Sequence, residues 1–412
     1  MKRQPAIAFI MVTVLIDLIG IGLIIPILPL WVGEFTSGRD TQAYWYGSLA
    51  LTFGATQFLC APLLGALSDR FGRRPLLLLG IGGLGATFLI TALAHSLWVI
   101  LAARILGGAL AANIAVAQAY VADITPPDKR TAALGKLGAM FGAGFVLGPM
   151  LGGVLGHFDL RLPLFAAFGL CCINWLYGLL VLPESLPLER RNRIDRTKLD
   201  PFASLAGLAR LKGVGALVFA VGLSALAQFM LQSTWVLFTQ FRFGWGPRDN
   251  GLSLFCVGLV AVVVQGGLMR PLVKILGERS LVVAGLASGA LAYAGYGLVP
   301  EGWMLYAVIC ANFLAFASGV ALQGIVSKAA DPREQGRTMA SLASLNSLMS
   351  VAAPMLGSSV LGQVTHLPPA DWRVGAPFLL CSLLQTGALL IAWRYFAGHR
   401  ATANVVEEAT SS

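Results

Sequence analysis

Long apolar runs recur along this chain from one end to the other, separated by short polar segments, and each is close to the length a helix needs to cross a membrane. An α-helix rises about 1.5 Å per residue, so about 20 apolar residues cover a hydrocarbon layer of about 30 Å. Twelve such runs can be drawn, at residues 6–30, 44–67, 75–94, 97–122, 133–156, 163–182, 213–238, 250–269, 280–299, 302–327, 338–362 and 375–395. Lipid offers backbone groups no hydrogen-bond partner, which leaves helices and closed barrels as spanning structures. These runs lack the two-residue alternation of barrel strands. The pattern predicts an all-α polytopic membrane protein with twelve transmembrane helices. The first run follows "MKRQ", is longer than a signal-peptide core and ends without a small-residue cleavage site, so it is expected to remain as the first span.

Composition agrees with lipid as the solvent: of 412 residues 57% are hydrophobic and 12% charged, against about 25% charged in soluble domains. The net charge of +10 raises nucleic acid as a partner, and the placement of the 29 Lys and Arg answers it. With the N-terminus inside, most of them fall in cytoplasmic segments, the positive-inside distribution, and twelve spans then put both termini in the cytoplasm. The basicity orients the chain, and no nucleic-acid partner is expected. The six cysteines lie within the predicted spans as small apolar residues, and the four histidines are scattered near span ends. Neither set has the spacing of a disulfide framework or a metal site.

The polar stretch 183–212, which contains "ERRNRIDRTK", divides six spans from six. The expected organisation is a six-helix bundle at 1–182, a cytoplasmic linker at 183–212 solvated near anionic headgroups, a second bundle at 213–395 and a cytoplasmic tail at 396–412. An offset of 205 residues aligns the halves. "PMLGGVLG" from Pro149 falls on "PMLGSSVLG" from Pro354, Gln118 on Gln323, and Gly72-Arg73-Arg74 on Gly277-Glu278-Arg279. Two parallel six-helix halves are the layout of transporters that bind near the midplane and rock one half against the other.

Between spans two and three "GALSDRFGRRP", Gly65 to Pro75, concentrates four charges, Asp69, Arg70, Arg73 and Arg74. Gly65 is expected to let its helix approach a neighbour, and Gly72 to permit a tight turn at the cytoplasmic face. Arg70, Arg73 and Arg74 enforce topology. Asp69 is placed to pair with Arg73 or to face a helix N-terminus of the other half, a contact able to hold in one conformation and break in another. The loop resembles the conserved loop between spans two and three of the major facilitator superfamily, G-x-L-[AS]-D-R-x-G-R-R, with every specified position filled. That resemblance implies the major facilitator fold and a gating role for the loop.

On span five, "GAGFVLGPMLGG" contains Gly144, Gly148, Gly152 and Gly156 at every fourth residue, a smooth ridge on one helix face, with Pro149 inside it. A bend at the interface between halves is expected there. Through Gly144, Gly148, Pro149, Gly152 and Gly153 the stretch resembles the superfamily's antiporter motif, which implies export. "DLIGIGLIIPILP", "QFLCAPLLGALSDRFGRRP", "AYVADI" and "RFGWGPRDNGLSL" together resemble the tetracycline/proton antiporters, a drug-exporting branch.

Only Asp17 and Arg104 are charged residues placed well inside spans, Asp17 near the middle of span one and Arg104 about 10 Å from the external end of span four. A charge at that depth costs at least about 2.5–3.5 kcal/mol, so each should face a cavity or a partner. Changes in water access, or in the distance between the two, would load and release a proton. The resemblance implies the same, linking the span-four arginine and the span-one acid with proton transfer. A static ion pair is the alternative.

Uncharged polar residues in spans are expected to line the substrate path or to bond helix to helix: Gln57, Asn113, Gln118, Gln228, Gln232, Gln265, Gln323 and Asn346, with Gln118 and Gln323 symmetric in the repeat. Tyr120, Phe229, Trp235 and Phe316 add aromatic surface. "GIGGLG", Gly80 to Gly85, fits G-x-G-x-x-G but lies in an apolar span with no strand before it, so helix packing is expected. No phosphate-binding P-loop is found, which leaves the proton gradient as energy source and no cofactor. The tetracycline antiporters carry an acid on span three, a histidine on span eight and an acid on span nine, where this chain has Thr87, Ala261 and Gly289.

These features predict a proton-coupled secondary transporter in the bacterial inner membrane, a monomer exporting an amphipathic small molecule, with a tetracycline-like drug as one class. A metabolite carrier or proton symporter of the same fold is the alternative. A membrane sensor or enzyme would need a nucleophile cluster, a metal set or a soluble output domain, none of which is present in the sequence.

Overall fold

The computed structural model describes residues 7–111, 113–191, 215–329 and 335–411. The "MKRQ" start and the linker from 192 to 212 lie outside the described residues. In the described residues the chain is helical throughout and has no strand. Eleven helices are long and apolar enough to cross a membrane, or twelve when one bent pair counts as a single span. Large apolar side chains such as Trp98, Leu180, Leu291 and Leu383 are exposed, as expected where the solvent is lipid.

The helices are α1 (Ile7–Ile24), α2 (Leu28–Gly33), α3 (Arg39–Phe71), α4 (Arg73–Ala92), α5 (Leu97–Leu110), α6 (Asn113–Ile124), α7 (Arg130–Phe158) and α8 (Leu162–Leu180). They continue as α9 (Gly215–Phe243), α10 (Pro247–Val263), α11 (Met269–Leu276), α12 (Glu278–Leu298), α13 (Trp303–Ala311), α14 (Phe313–Ala329), α15 (Gln335–Val364) and α16 (Ala376–Ser411). Pro26 has no amide hydrogen to continue α1, which stops at Ile24, and α2 resumes with Pro29 in its first turn. The tail from 396 to 411 continues α16 rather than forming a separate segment.

Besides the break at Pro26 in span one, three predicted spans are interrupted, and each of these three interruptions has polar residues. Span four ends its first helix at Leu110 and restarts at Asn113, with the Ala111 carbonyl accepting from Gln57 Nε2 at 3.1 Å. Span eight holds a π-helical turn, Val264–Leu268, with Gln265, Gly266 and Gly267 in it. Span ten is broken at Asn312 with a 43° bend, and the buried Asn312 accepts from Ser288 Oγ at 3.0 Å. Apolar run length does not report such breaks, because one or two polar side chains, such as Gln57 on the Ala111 carbonyl, lower the hydropathy of a span little.

Packing divides the chain into two compact units, Met1–Pro201 with Val236–Gly258, and Phe202–Trp235 with Leu259–Ser412. In the first, α1 packs on α7 and α8, α3 on α5, and α4 on α8. One apolar core there gathers Leu23, Trp31, Ile81, Phe88 and Leu164, and another Ile10, Leu77, Tyr120 and Leu137. In the second unit α12 packs on α14 and α16 around Leu217, Leu281, Leu286, Val326 and Ala388.

Candidate functional site

The charged loop becomes a closed cluster at the junction of α3 and α4. Gly72 takes φ +106°, a conformation that only glycine enters without strain, so α3 stops and α4 starts within one residue. A side chain on Gly72 would collide with the Glu184 carboxylate, which lies against the new helix and accepts from the backbone N–H groups of Arg73 at 2.8 Å and Arg74 at 3.2 Å. These amides begin a helix and have no acceptor within it, so a carboxylate there caps them and meets the positive end of the helix dipole. Arg73 bridges two acids, Asp69 at 2.5 Å and Asp123 on α6 at 3.0 Å, and also donates to Ser68 Oγ. Arg74 turns to the last carbonyls of α8, at Gly178 and Leu179. Arg70 stacks on the neighbouring Phe71 ring. Gly65 departs from expectation: no atom lies within 4 Å of where its Cβ would stand, so in this conformation it permits no close helix approach.

The glycine ridge of α7 lies against α1. Cβ atoms on Gly148 and Gly22 would each meet the other's Cα, at 2.6 and 2.8 Å, and Gly144 faces Leu18, Gly152 the Leu23 backbone. Gly153, one position off that ridge, faces Pro247 and Gly251 of α10. The helix runs unbroken through Pro149 from Arg130 to Phe158. Gly144, Gly148 and Gly152 therefore serve α1, Gly156 lies between Ile27 and Pro247, and span eight is also met by Val146, Pro149 and Gly153. Helical spacing fixes which glycines share a face but not which neighbour covers it.

Asp17 is 4% exposed on α1. Its partner is the amide of Asn113, whose Nδ2 donates to both carboxylate oxygens at 3.3 Å. Gly80 on α4 makes that contact possible, because a side chain there would overlap Asn113 Oδ1. The glycine-rich "GIGGLG" stretch is helix packing, with Gly83 against Leu110 and Gly85 against Cys171, and its first glycine shapes the surroundings of the buried acid. A cavity of about 10 Å³, room for one water, is bordered by Thr13, Asp17, Leu77, Ile81 and Asn113.

Arg104 does not join Asp17. Asn113, Asp17's partner, lies nine residues beyond Arg104, about 13 Å further along the span. Among the described residues no carboxylate is within ion-pair distance of Arg104, and its Nε is buried without an acceptor. Its Cζ sits 5.4 Å from the centroid of the Phe53 ring, and Tyr46 is within electrostatic reach.

Comparison with known proteins decides the family. The model described as Major Facilitator Superfamily matches residues 10–354. The chain belongs to that superfamily. The "Tetracycline resistance protein, class C" of Escherichia coli is 36% identical over 394 residues, 94% of this chain and 98% of that protein. The crystal structure of a human organic anion transporter has a TM-score of 0.68 at 26% identity, covering 94% of this chain and all of that one. A D-xylose-proton symporter structure has a TM-score of 0.71 at 14% identity, covering 94% and 97%, and shares the fold. As a member of the major facilitator superfamily this is a multi-pass membrane transporter for small molecules and not an enzyme.

The remaining polar residues of this superfamily member divide between wall and scaffold. Gln118 is exposed and borders a cavity of about 510 Å³ with Ala115, Ala122, Leu134, Gly138 and Phe141, between α6 and α7. Gln57 is committed to the break in span four. In the second unit Gln232 and Gln323 are exposed, and Gln228 accepts from the Tyr293 hydroxyl at 2.7 Å. Tyr120 is buried, donating to the Pro183 carbonyl at 2.8 Å. Gly289 leaves space that the Gln385 amide fills, and Thr87 is 1% exposed with its hydroxyl donating to Leu84 O.

Asp123, Glu184 and Gly80 are the site residues that sequence reasoning missed. The first two are acids at the span ends nearest the loop arginines, and a search of those ends for acids would have found them. Gly80 carried no such signal, since its use depends on which helix lies opposite.

Proposed function

We propose that this transporter exports an amphipathic small molecule from a bacterial cytoplasm across the inner membrane in exchange for protons, with no cofactor. Asp17 carries this reading: a carboxylate buried in a span, partnered by a neutral amide rather than a cation and bordering space for one water. Such a group can change charge when water reaches it and change back when it is sealed. The kinship with tetracycline resistance proteins supports export and a drug-like substrate. Gln118, Gln232 and Gln323 are the polar groups offered to the substrate, and the Asp69–Arg73–Asp123 cluster is the cytoplasmic latch. Both termini are cytoplasmic, the two six-helix halves are the moving bodies, and one copy suffices.

The test is transport in everted membrane vesicles from an exporter-deficient bacterium. Wild type should take an exported drug into vesicles whose lumen is acidic, as protons leave, and release protons on drug addition. Asp17→Asn should lose at least tenfold of both while still binding drug. Undiminished proton release in Asp17→Asn would remove the acid from the mechanism.

A further inference from the structure

Arg104 is a half-buried cation with no carboxylate in ion-pair distance among the described residues. It stands one turn before Gly107 on α5, and the Cβ position of Gly107 lies 3.3 Å from the Phe53 ring and 3.4 Å from Thr87 Oγ1. Phe53 of α3 thus lies against both Arg104 and Gly107, and Thr87 of α4 borders Gly107, one turn from Arg104. The Phe53 ring lies against the guanidinium, and Tyr46, two turns earlier on the same face of α3, is within electrostatic reach. Thr87 brings no charge, and its hydroxyl is already bonded to Leu84 O at 2.8 Å. Nε is sealed without an acceptor, while the residue as a whole keeps partial exposure, so the outer nitrogens of the fork remain reachable.

A guanidinium drawn out of water without a counter-charge is costly, and an aromatic face offsets only part of that cost. The fork presents parallel N–H donors matched to two oxygens sharing a negative charge. Aromatic and glycine surfaces around it suit a flat apolar body more than a small hydrated ion. We propose that Arg104, with Phe53 and Tyr46, binds the oxyanion of the transported molecule, a carboxylate or enolate attached to a planar apolar framework. This rests on the export reading for the ligand's being cargo; the binding itself is separable from transport.

The experiment uses the full chain purified in detergent and two fluorescent probes of one shape, anthracene-2-carboxylate and anthracene-2-carboxamide, titrated by anisotropy. The carboxylate should bind wild type at least tenfold tighter than the amide. That preference should vanish in Arg104→Gln and in Thr87→Asp, which sets a rival carboxylate one turn from the guanidinium, and should shrink in Arg104→Lys, which keeps charge without the fork. Millimolar chloride or phosphate should not displace the carboxylate. Equal affinities in wild type, no binding of either probe, or a preference surviving in a folded Arg104→Gln or Thr87→Asp would overturn the proposal, and displacement by phosphate would overturn the substrate class. The wild-type comparison stands even where a variant fails to fold. Loss of pH-gradient-driven export with the preference intact counts against the transport reading alone.

Discussion

Glu184 occupies the space that a side chain on Gly72 would need. Its carboxylate comes from the segment after α8, reaches the start of α4 and holds the first amides of that helix. The turn between spans two and three is thereby tied to the end of span six, and glycine at 72 is required twice, for its φ and for the carboxylate.

Gly72→Ala should accordingly cost more than the loss of the cap alone. The left-handed backbone adds about 1–2 kcal/mol for a residue with a Cβ, and displacing Glu184 adds the loss of a capping group, about 0.5–2 kcal/mol. Glu184→Gln keeps an acceptor but loses the charge facing the helix dipole and should cost less than Glu184→Ala. Thermal unfolding of the detergent-solubilised protein should rank the melting temperatures as wild type, Glu184→Gln, Glu184→Ala, then Gly72→Ala.

Arg73 joins Asp69 to Asp123 through different nitrogens of one guanidinium, Nη1 and Nε. A lysine has one nitrogen on a flexible stem and cannot reproduce a two-sided bridge. Arg73→Lys should therefore retain topology, since the positive charge stays, yet lower drug export in everted vesicles about tenfold or more. Arg70→Lys, whose contact is a neighbouring ring, should export within about twofold of wild type. Equal losses in both would show that charge alone matters at the loop.

Gly148 and Gly65 make a contrasting pair. At Gly148 a methyl group would meet the Gly22 backbone, which has no rotamer with which to yield, so Gly148→Ala should destabilise by about 1–3 kcal/mol. Gly65 lies within α3 facing open space, so Gly65→Ala should stabilise this conformation by up to about 1 kcal/mol through helix propensity. If the motif glycine is needed where helices close up in another state of the cycle, Gly65→Ala will combine a raised melting temperature with slower export. A raised melting temperature with unchanged export would make Gly65 dispensable.

Fold and family were legible because both rest on signals that survive without coordinates. Span length follows from bilayer thickness, the loop motif is dense enough to be specific, and a buried acid such as Asp17 stands out against an apolar run. Partner identity was not legible. Asp17 and Arg104 looked like a pair because they are the two charges inside spans, but their depths differ by about 13 Å and each has another neighbour, Asn113 for one and Phe53 for the other. The α7 ridge was legible as a face but not as a face for α1, and the breaks at Ala111 and Asn312 were hidden because each brings only one or two polar side chains, Gln57 meeting the Ala111 carbonyl and Asn312 meeting Ser288, while hydropathy stays high.

Asn113 and Gly80 supply the most direct test of how the buried acid is held. The Asn113 amide is the hydrogen-bond partner of Asp17, and Gly80 keeps the space that this amide occupies. If Asn113 sets the position and charge state of the acid, then Asn113→Ala, which removes the donor, and Gly80→Ala, which pushes it aside, should give the same phenotype: drug binding within about threefold of wild type, but drug-driven proton release reduced about tenfold. Gly83→Ala is the matched comparison, because a methyl there meets the Leu110 side chain, nearest at its Cδ1, and not Asn113, so both measurements should stay near wild type. A double variant, Gly80→Ala with Asn113→Ala, should be no worse than Asn113→Ala alone, since the smaller side chain gives back the space the new methyl takes. Losses that multiply instead would mean that Gly80 acts on the fold of α4 independently of Asn113, and the acid's partner would then have no claim on proton coupling.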